Sequence, residues 1–252
     1  MITIGLIIRL SHATTLSTFA AFADGLLVSD QDSSRPIAFL PHIPEGIDAI
    51  DLESGTLLWH SAAADRPLAL WNSTLVGFKR TADSAITVVV LDPKHNGDIL
   101  RQSESIQLPP LSMVTIENSP RFTAASSIKG DVISLHVWLK AEYRGGANPS
   151  AELAEENSRE RKLRIDVNLK TGELVTVGDT DERVEPAAIR SDESAVVKDK
   201  RFEVVWAKAA DDMSKISRLQ KTLVAKDNRT GAVLWKSSLG TSDARATPKL
   251  PQ

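Results

Sequence analysis

Five histidines, His12, His42, His60, His95 and His136, are the side chains of this chain best suited to proton transfer near neutral pH or to metal ligation. No two of them stand at the spacing of a His-x-x-x-His motif, which would put both imidazoles on one face of a helix. His95 falls in a turn and His136 inside a strand, and all five read as structural or solvent-exposed. The chain has no cysteine, which removes disulfides, thiolate metal sites and thiol nucleophiles together. It also lacks a Gly-x-Ser-x-Gly elbow and a P-loop. Asp30-Gln31-Asp32-Ser33-Ser34 opens like a calcium loop but has neither the glycine nor the distal glutamate of an EF-hand, so it reads as a polar turn. The sequence therefore marks no residue as catalytic, cofactor-binding or metal-ligating. The expectation is a protein without a bound cofactor, and one that is not an enzyme.

Three aspartates look different because they recur. Asp51, Asp92 and Asp227, with Asn168 in the same place, each precede a glycine by four or five residues: Gly55, Gly97, Gly231 and Gly172. The units are Ala49-Ile50-Asp51-Leu52-Glu53-Ser54-Gly55-Thr56-Leu57-Leu58-Trp59, Val89 to Leu100, Ile165 to Val175, and Val224 to Trp235. An apolar strand ends in a short polar side chain, which accepts backbone N–H groups in the turn that follows. The glycine supplies a positive φ, and a second apolar strand leaves the turn. Catalytic carboxylates would have to converge on one cleft. A residue that recurs in every unit is solving a turn problem instead. Trp59 and Trp235 close two of the units and read as packing between neighbouring units rather than as ligand platforms.

Extending each hairpin outward predicts four strands per unit. The first unit takes 25–29, 36–40, 46–51 and 56–60. The second takes 67–71, 75–80, 86–92 and 98–102. The third takes 113–117, 132–143, 163–168 and 173–177, with Val132, Leu135, Val137 and Leu139 sharing a face. The fourth takes 195–198, 202–208, 222–227 and 232–236. Short strands with regular turn residues indicate an all-β sandwich or propeller, and the repeated hairpin favours a propeller-like array of about four antiparallel blades. The blades are expected at about 24–65, 66–110, 111–182 and 190–240 of the 252 residues. An insertion at 145–162 interrupts the third. Ser150 caps a predicted helix from about Ala151 to Arg161, and the charged cluster Arg159 to Arg164 beside Glu152, Glu155 and Glu156 reads as its solvated face. Residues 241–252 read as a loose tail.

Charged residues make up 25% and hydrophobic ones 42%, an ordinary globular balance, and a net charge of -3 gives no electrostatic case for nucleic acid. No apolar run is long enough to span a membrane. Residues 1–23 read either as an export signal, ending in Ala21-Phe22-Ala23, or as an extra strand or disordered lead.

The hairpin at Ala49 to Trp59, echoed at Val224 to Trp235, resembles the repeat of the PQQ-like β-propeller superfamily. The wider pattern is similar to a bacterial branch of it to which no reaction is assigned: Arg66-Pro67-Leu68-Ala69, then Val88 to Asp92, then Tyr143-Arg144-Gly145-Gly146. The resemblance implies a propeller fold and a periplasmic or secreted location, a cytoplasmic one being the alternative. True quinoproteins of the superfamily hold PQQ with a vicinal cysteine pair, calcium and a catalytic carboxylate, and this chain lacks that set. The expected function is a binding or scaffold module that contacts an unidentified protein or small ligand. Tyr143, Arg144, Gly145, Gly146 and Asn148 form its candidate contact loop, and exposed edge strands offer a further route to association. The rival readings are an enzyme with a pocket on a propeller face, of hydrolase or lyase type, and a degenerate quinoprotein that still binds PQQ.

Overall fold

The computed structural model describes residues 26–29, 35–82, 85–107, 121–140, 161–179, 194–208 and 218–243. Among them every element is a β-strand, arranged as four open antiparallel sheets in a propeller-like array of blades. Blade 1 holds β1 (Leu27–Val28), β2 (Ile37–Pro41), β3 (Ile47–Asp51) and β4 (Leu57–Ser61). Blade 2 holds β5 (Arg66–Trp71), β6 (Thr74–Ala82), β7 (Ala85–Asp92) and β8 (Asp98–Gln102), with β9 (Ile106–Gln107) continuing beside β7. Blade 3 holds β10 (Arg121–Lys129), β11 (Val132–Lys140), β12 (Arg161–Asn168) and β13 (Leu174–Asp179). Blade 4 holds β14 (Ser194–Val197), β15 (Lys200–Lys208), β16 (Arg218–Asp227) and β17 (Val233–Asp243). Strands follow one another in chain order within every blade.

The recurring turn is built the same way four times. The glycine N–H donates to the carbonyl of the capping residue in Gly55–Asp51, Gly97–Asp92, Gly172–Asn168 and Gly231–Asp227, at 2.7–2.9 Å. The four glycines have φ of 74°, 72°, 81° and 71°, where a Cβ is strained. Asp51 Oδ1 accepts the N–H of Glu53 and Ser54, Asp92 Oδ1 that of Lys94, Asn168 Oδ1 those of Lys170 and Thr171, and Asp227 Oδ1 those of Arg229 and Thr230. The register then slips at one equivalent place in every blade: between Ala49 and Ile50, Val90 and Leu91, Asp166 and Val167, and Ala225 and Lys226. Each slip leaves one outer-strand residue without a partner (Leu58, Leu100, Val175 and Leu234), which is a β-bulge. A bulge re-aims the residue after it, and that residue is Trp59, Arg101, Thr176 or Trp235.

Three of those re-aimed residues, Trp59, Arg101 and Trp235, carry seams. Trp59 lies over Gly97 of blade 2, where an added Cβ would come within 2.8 Å of its ring, and its Nε1 donates to Pro93 O at 2.9 Å. Arg101 repeats the contact one blade on: Gly172 of blade 3 sits against Arg101 and Gln102, and Arg101 Nη1 donates to Leu169 O at 3.2 Å. Pro93 and Leu169 each follow the capping residue of their turn, so the two bonds are equivalent. Trp235 of blade 4 lies over Gly55 of blade 1. Three core clusters match these seams. One joins blades 2 and 3 around Val88, Leu135 and Ile165, one joins blades 1 and 2 around Phe39, Trp59 and Leu91, and one joins blades 4 and 1 around Leu40, Phe202 and Leu223. The spatial order of seams is thus 4–1–2–3. Gly231, the turn that blade 3 would cover in a fourth seam, has nothing within 4 Å among the described residues.

Several expectations need correcting. The first strand of blade 3 is β10 at Arg121–Lys129, not 113–117, which lies outside the described residues. Its alanines and serines hide it from a search for apolar runs, whereas the two-residue turn at Gly130 and Asp131 pairs it tightly with β11. On β11 the buried face is Ile133, Leu135 and Val137. Val132 belongs to the opposite face, because side chains alternate strictly along a strand. Arg161–Arg164 begins β12 rather than ending a helix, and β17 runs to Asp243, three residues into the expected tail. The rest of the insertion at 145–162, the contact loop Tyr143 to Asn148, His12, Asp30 to Ser34 and residues 1–23 lie outside the described residues.

The caps have a consequence for acid stability. Hydrogen bonding from His95 and from the Lys94 N–H holds Asp92 below its ordinary value, and the Thr230 N–H and hydroxyl do the same for Asp227. Burial raises Asp51, but the Arg35 hydrogen bond and the N–H groups of Ser54 and Glu53 outweigh it and leave Asp51 lowered. A carboxyl lowered in the folded state stabilises the fold above its unfolded value, about 3.9 for aspartate, and that contribution fades as pH falls through the folded value. Denaturation midpoints should therefore hold steady down to about pH 5 and drop below about pH 4. Asn168 shows that an amide serves this turn. Changing Asp92 and Asp227 together to Asn should preserve neutral-pH stability and flatten the acid limb of a pH-resolved urea titration. An unchanged acid limb would rule out these two caps as its source.

Candidate functional site

Among the described residues one group of chemically capable side chains converges, and it lies on blade 1. β2 ends at Pro41, and the chain turns at a cis Ile43–Pro44 bond before β3. The His42 N–H donates to Gly46 O at 2.9 Å and closes this corner. Alternation then decides which face the residues occupy. Ala38 and Leu40 on β2, and Ile50 on β3, belong to the cluster shared with blade 4. His42 and Asp48 continue those two rows on the same face. Asp48 stands opposite His60 in the β3–β4 register, which brings a third residue to the same spot.

Both imidazoles turn Nδ1 toward the Asp48 carboxylate. His42 Nδ1 donates to Oδ2 and His60 Nδ1 to Oδ1, each at 2.8 Å. The two rings meet edge to face, with centroids 4.8 Å apart and planes at 72°. Asp48 is buried, its side chain 2% exposed, while His42 and His60 are 30% and 40% exposed. Solvent therefore reaches the imidazole rings, and the carboxylate lies beneath them. One nitrogen from each ring and one carboxylate oxygen lie within 4.8 Å of one another, the donor mixture that divalent transition metals accept.

The surrounding backbone leaves room for the rings. A Cβ on Gly46 (φ 102°) would lie 2.4 Å from His60 Cε1, while Gly240 (φ 95°) makes room chiefly for the Ile43 backbone, with His42 Nε2 3.2 Å from where its Cβ would stand. Gly240 belongs to β17, so the site opens at the seam between the first and last blades. There Ile43 N donates to Leu239 O at 3.0 Å, and Ile43 and Gly240 form a parallel bridge. At the other end of β3, Glu53 is held below its ordinary value mainly by the Lys200 hydrogen bond, with Lys198 adding to it, so an ion pair also crosses this seam.

The other chemically interesting residues stay apart. His95 is exposed and bonds Asp92 within its own turn at 2.7 Å, and Asp92 raises its pKa. His136 is buried within β11, opposite Arg164 and Ala125. Asp51, Asp92, Asn168 and Asp227 serve separate turns and do not share a cleft. Sequence reasoning missed the pairing of His42 with His60 because it looked for ligand spacing along a single element. The signal was in the strand register: 42, 48 and 60 meet only after β2, β3 and β4 are laid side by side.

The sequence matches no protein-family model, and a search of curated proteins finds no relative. No helix among the described residues is long and apolar enough to cross a membrane.

Proposed function

We propose that the protein is a non-catalytic binding or scaffold module, a PQQ-like repeat propeller that works outside the cytoplasm and contacts its partner through loops. The observation that supports this reading is the use made of the repeated residues. Asp51, Asp92, Asn168 and Asp227 are consumed in capping turns. Trp59, Arg101 and Trp235 are consumed in seating the next blade. The recess formed by Val88, Arg101, Gln102, Val167 and Gly172 belongs to the packing seam of blades 2 and 3. In such a scaffold the strands hold the shape and the connecting loops carry recognition. The end strands β4, β8, β13 and β17 add ladder groups that a partner strand can pair with.

The segment between β11 and β12 carries Tyr143, Arg144, Gly145, Gly146 and Asn148, a partly aromatic, cationic stretch of sequence suited to contact. Deleting residues 145–160 spares β12, which starts at Arg161. The shortened chain should keep the circular dichroism and melting midpoint of the full chain and lose a protein captured by crosslinking from the native source. Equal capture by both chains would place recognition elsewhere, and turnover of a substrate by the full chain would overturn the non-catalytic reading.

A further inference from the structure

We propose that His42, Asp48 and His60 bind one divalent transition-metal ion of the zinc type, at the seam where the first and last blades meet. This goes beyond the binding-module reading and does not depend on it. The first support is the donor set. Two imidazole nitrogens and a carboxylate are ligands that zinc takes readily, and three protein ligands leave a position open for water or a further donor. Magnesium and calcium prefer all-oxygen surroundings and fit this set poorly.

The second support is how the carboxylate is satisfied. Other buried aspartates of the described residues face guanidinium groups: Asp51 faces Arg35, and Asp166 faces Arg164 at 3.1 Å. Asp48 instead has one imidazole on each oxygen at 2.8 Å. Arginine satisfies a buried carboxylate with a rigid fork of donors and has no lone pair to offer a metal. An imidazole does both jobs: it donates Nδ1–H when no ion is present and ligates through that nitrogen when one is.

The third support is the built space. Strand register sets Asp48 opposite His60, and the bond from the His42 N–H to Gly46 O at 2.9 Å holds His42 at the adjoining corner. Gly46 holds a positive φ where a Cβ would lie 2.4 Å from His60 Cε1, and at Gly240 a Cβ would meet the Ile43 carbonyl oxygen before His42 Nε2 at 3.2 Å. The rings are exposed enough for an ion to enter from solvent. On entry the ion takes the place of the hydrogens between Nδ1 and the carboxylate. Each neutral imidazole keeps its single proton, now on Nε2, and each imidazolium releases one to water. The ion then ties the β2–β3 corner to β4, and that corner carries the Ile43–Leu239 bond to blade 4.

The test is calorimetric titration of zinc chloride into the full, tag-free chain. The expected result is one ion per chain at micromolar affinity or tighter, with a higher melting midpoint in zinc. Cobalt(II) should give a visible absorption band of a nitrogen–oxygen site. His42→Gln and His60→Gln should each weaken binding at least about tenfold and abolish both the cobalt band and the zinc-induced shift in melting. His95→Gln, outside the group, should change nothing. Both substitutions fall on part-exposed side chains, and their folding is checked by circular dichroism without metal. Asp48→Asn completes the set where it folds. Absence of stoichiometric binding in the full chain overturns the proposal, and so does equal binding by a folded His42→Gln, His60→Gln double variant.

Discussion

Alanine at Gly172 is expected to destabilise the fold by about 2–5 kcal/mol, while alanine at Gly231 costs only about 1–2 kcal/mol. The two glycines occupy equivalent turns with nearly the same backbone, φ 81° and 71°. The strain of placing an L-residue there is about 1–2 kcal/mol and common to both. The difference lies in what the new Cβ meets. At Gly172 it would lie 2.7 Å from the Gln102 carbonyl oxygen, a backbone atom of the neighbouring blade that cannot swing aside. Relieving that overlap means separating blades 2 and 3, an overpacking cost of about 1–3 kcal/mol. At Gly231 nothing lies within 4 Å among the described residues. Gly97 and Gly55 fall between the two. Their Cβ would press on the rings of Trp59 and Trp235 at 2.8 and 2.5 Å, and a side chain can give where a backbone cannot. Urea denaturation of the four single variants supplies the ranking. Equal losses at Gly172 and Gly231 would mean that these turns do not seat blades at all.

That comparison explains which parts of the fold were legible in the sequence. A turn that needs a capping oxygen and a positive φ restricts residue types at fixed positions, so Asp51, Gly55 and their three counterparts stand out in the chain. The strands of blades 1, 2 and 4 then follow within about four residues, except that β17 runs on to Asp243 rather than stopping at 236. What the sequence does not display is anything set by a partner far along the chain. β10 is written largely in small and polar residues, and only its pairing with β11 makes it a strand. The bulge leaves no residue signature either, since Leu58, Leu100, Val175 and Leu234 look like ordinary strand residues. Arg101 is the clearest instance. It takes the place of a tryptophan in the seam, donating to a turn carbonyl of the next blade as Trp59 does, although an arginine and an indole share no obvious pattern. The His42–Asp48–His60 group was hidden for the same reason, being a product of register across three strands.

Trp59→Ala is expected to cost about 3–5 kcal/mol, and Trp59→Phe about 1–2 kcal/mol. The indole is 8% exposed and sits in the core cluster between blades 1 and 2, beside Phe39 at a ring separation of 5.8 Å. Truncation removes most of that buried apolar surface and leaves a cavity that the rigid turn of blade 2 cannot fill. It also strands the Pro93 carbonyl, which accepts the Nε1–H at 2.9 Å. Phenylalanine keeps most of the ring volume and loses chiefly that bond, so the gap between the two variants separates packing from hydrogen bonding. Denaturant midpoints at a constant m-value measure both losses. A tryptophan serving as a ligand platform would behave differently, with binding changed and stability nearly untouched after Trp59→Ala. The same reasoning makes the seam local. Because Gly97 is the surface Trp59 covers, Trp59→Ala should relieve the overlap that Gly97→Ala creates, and the double variant should lose less than the sum of the two single losses. Strict additivity would show that the indole and the turn do not meet in solution.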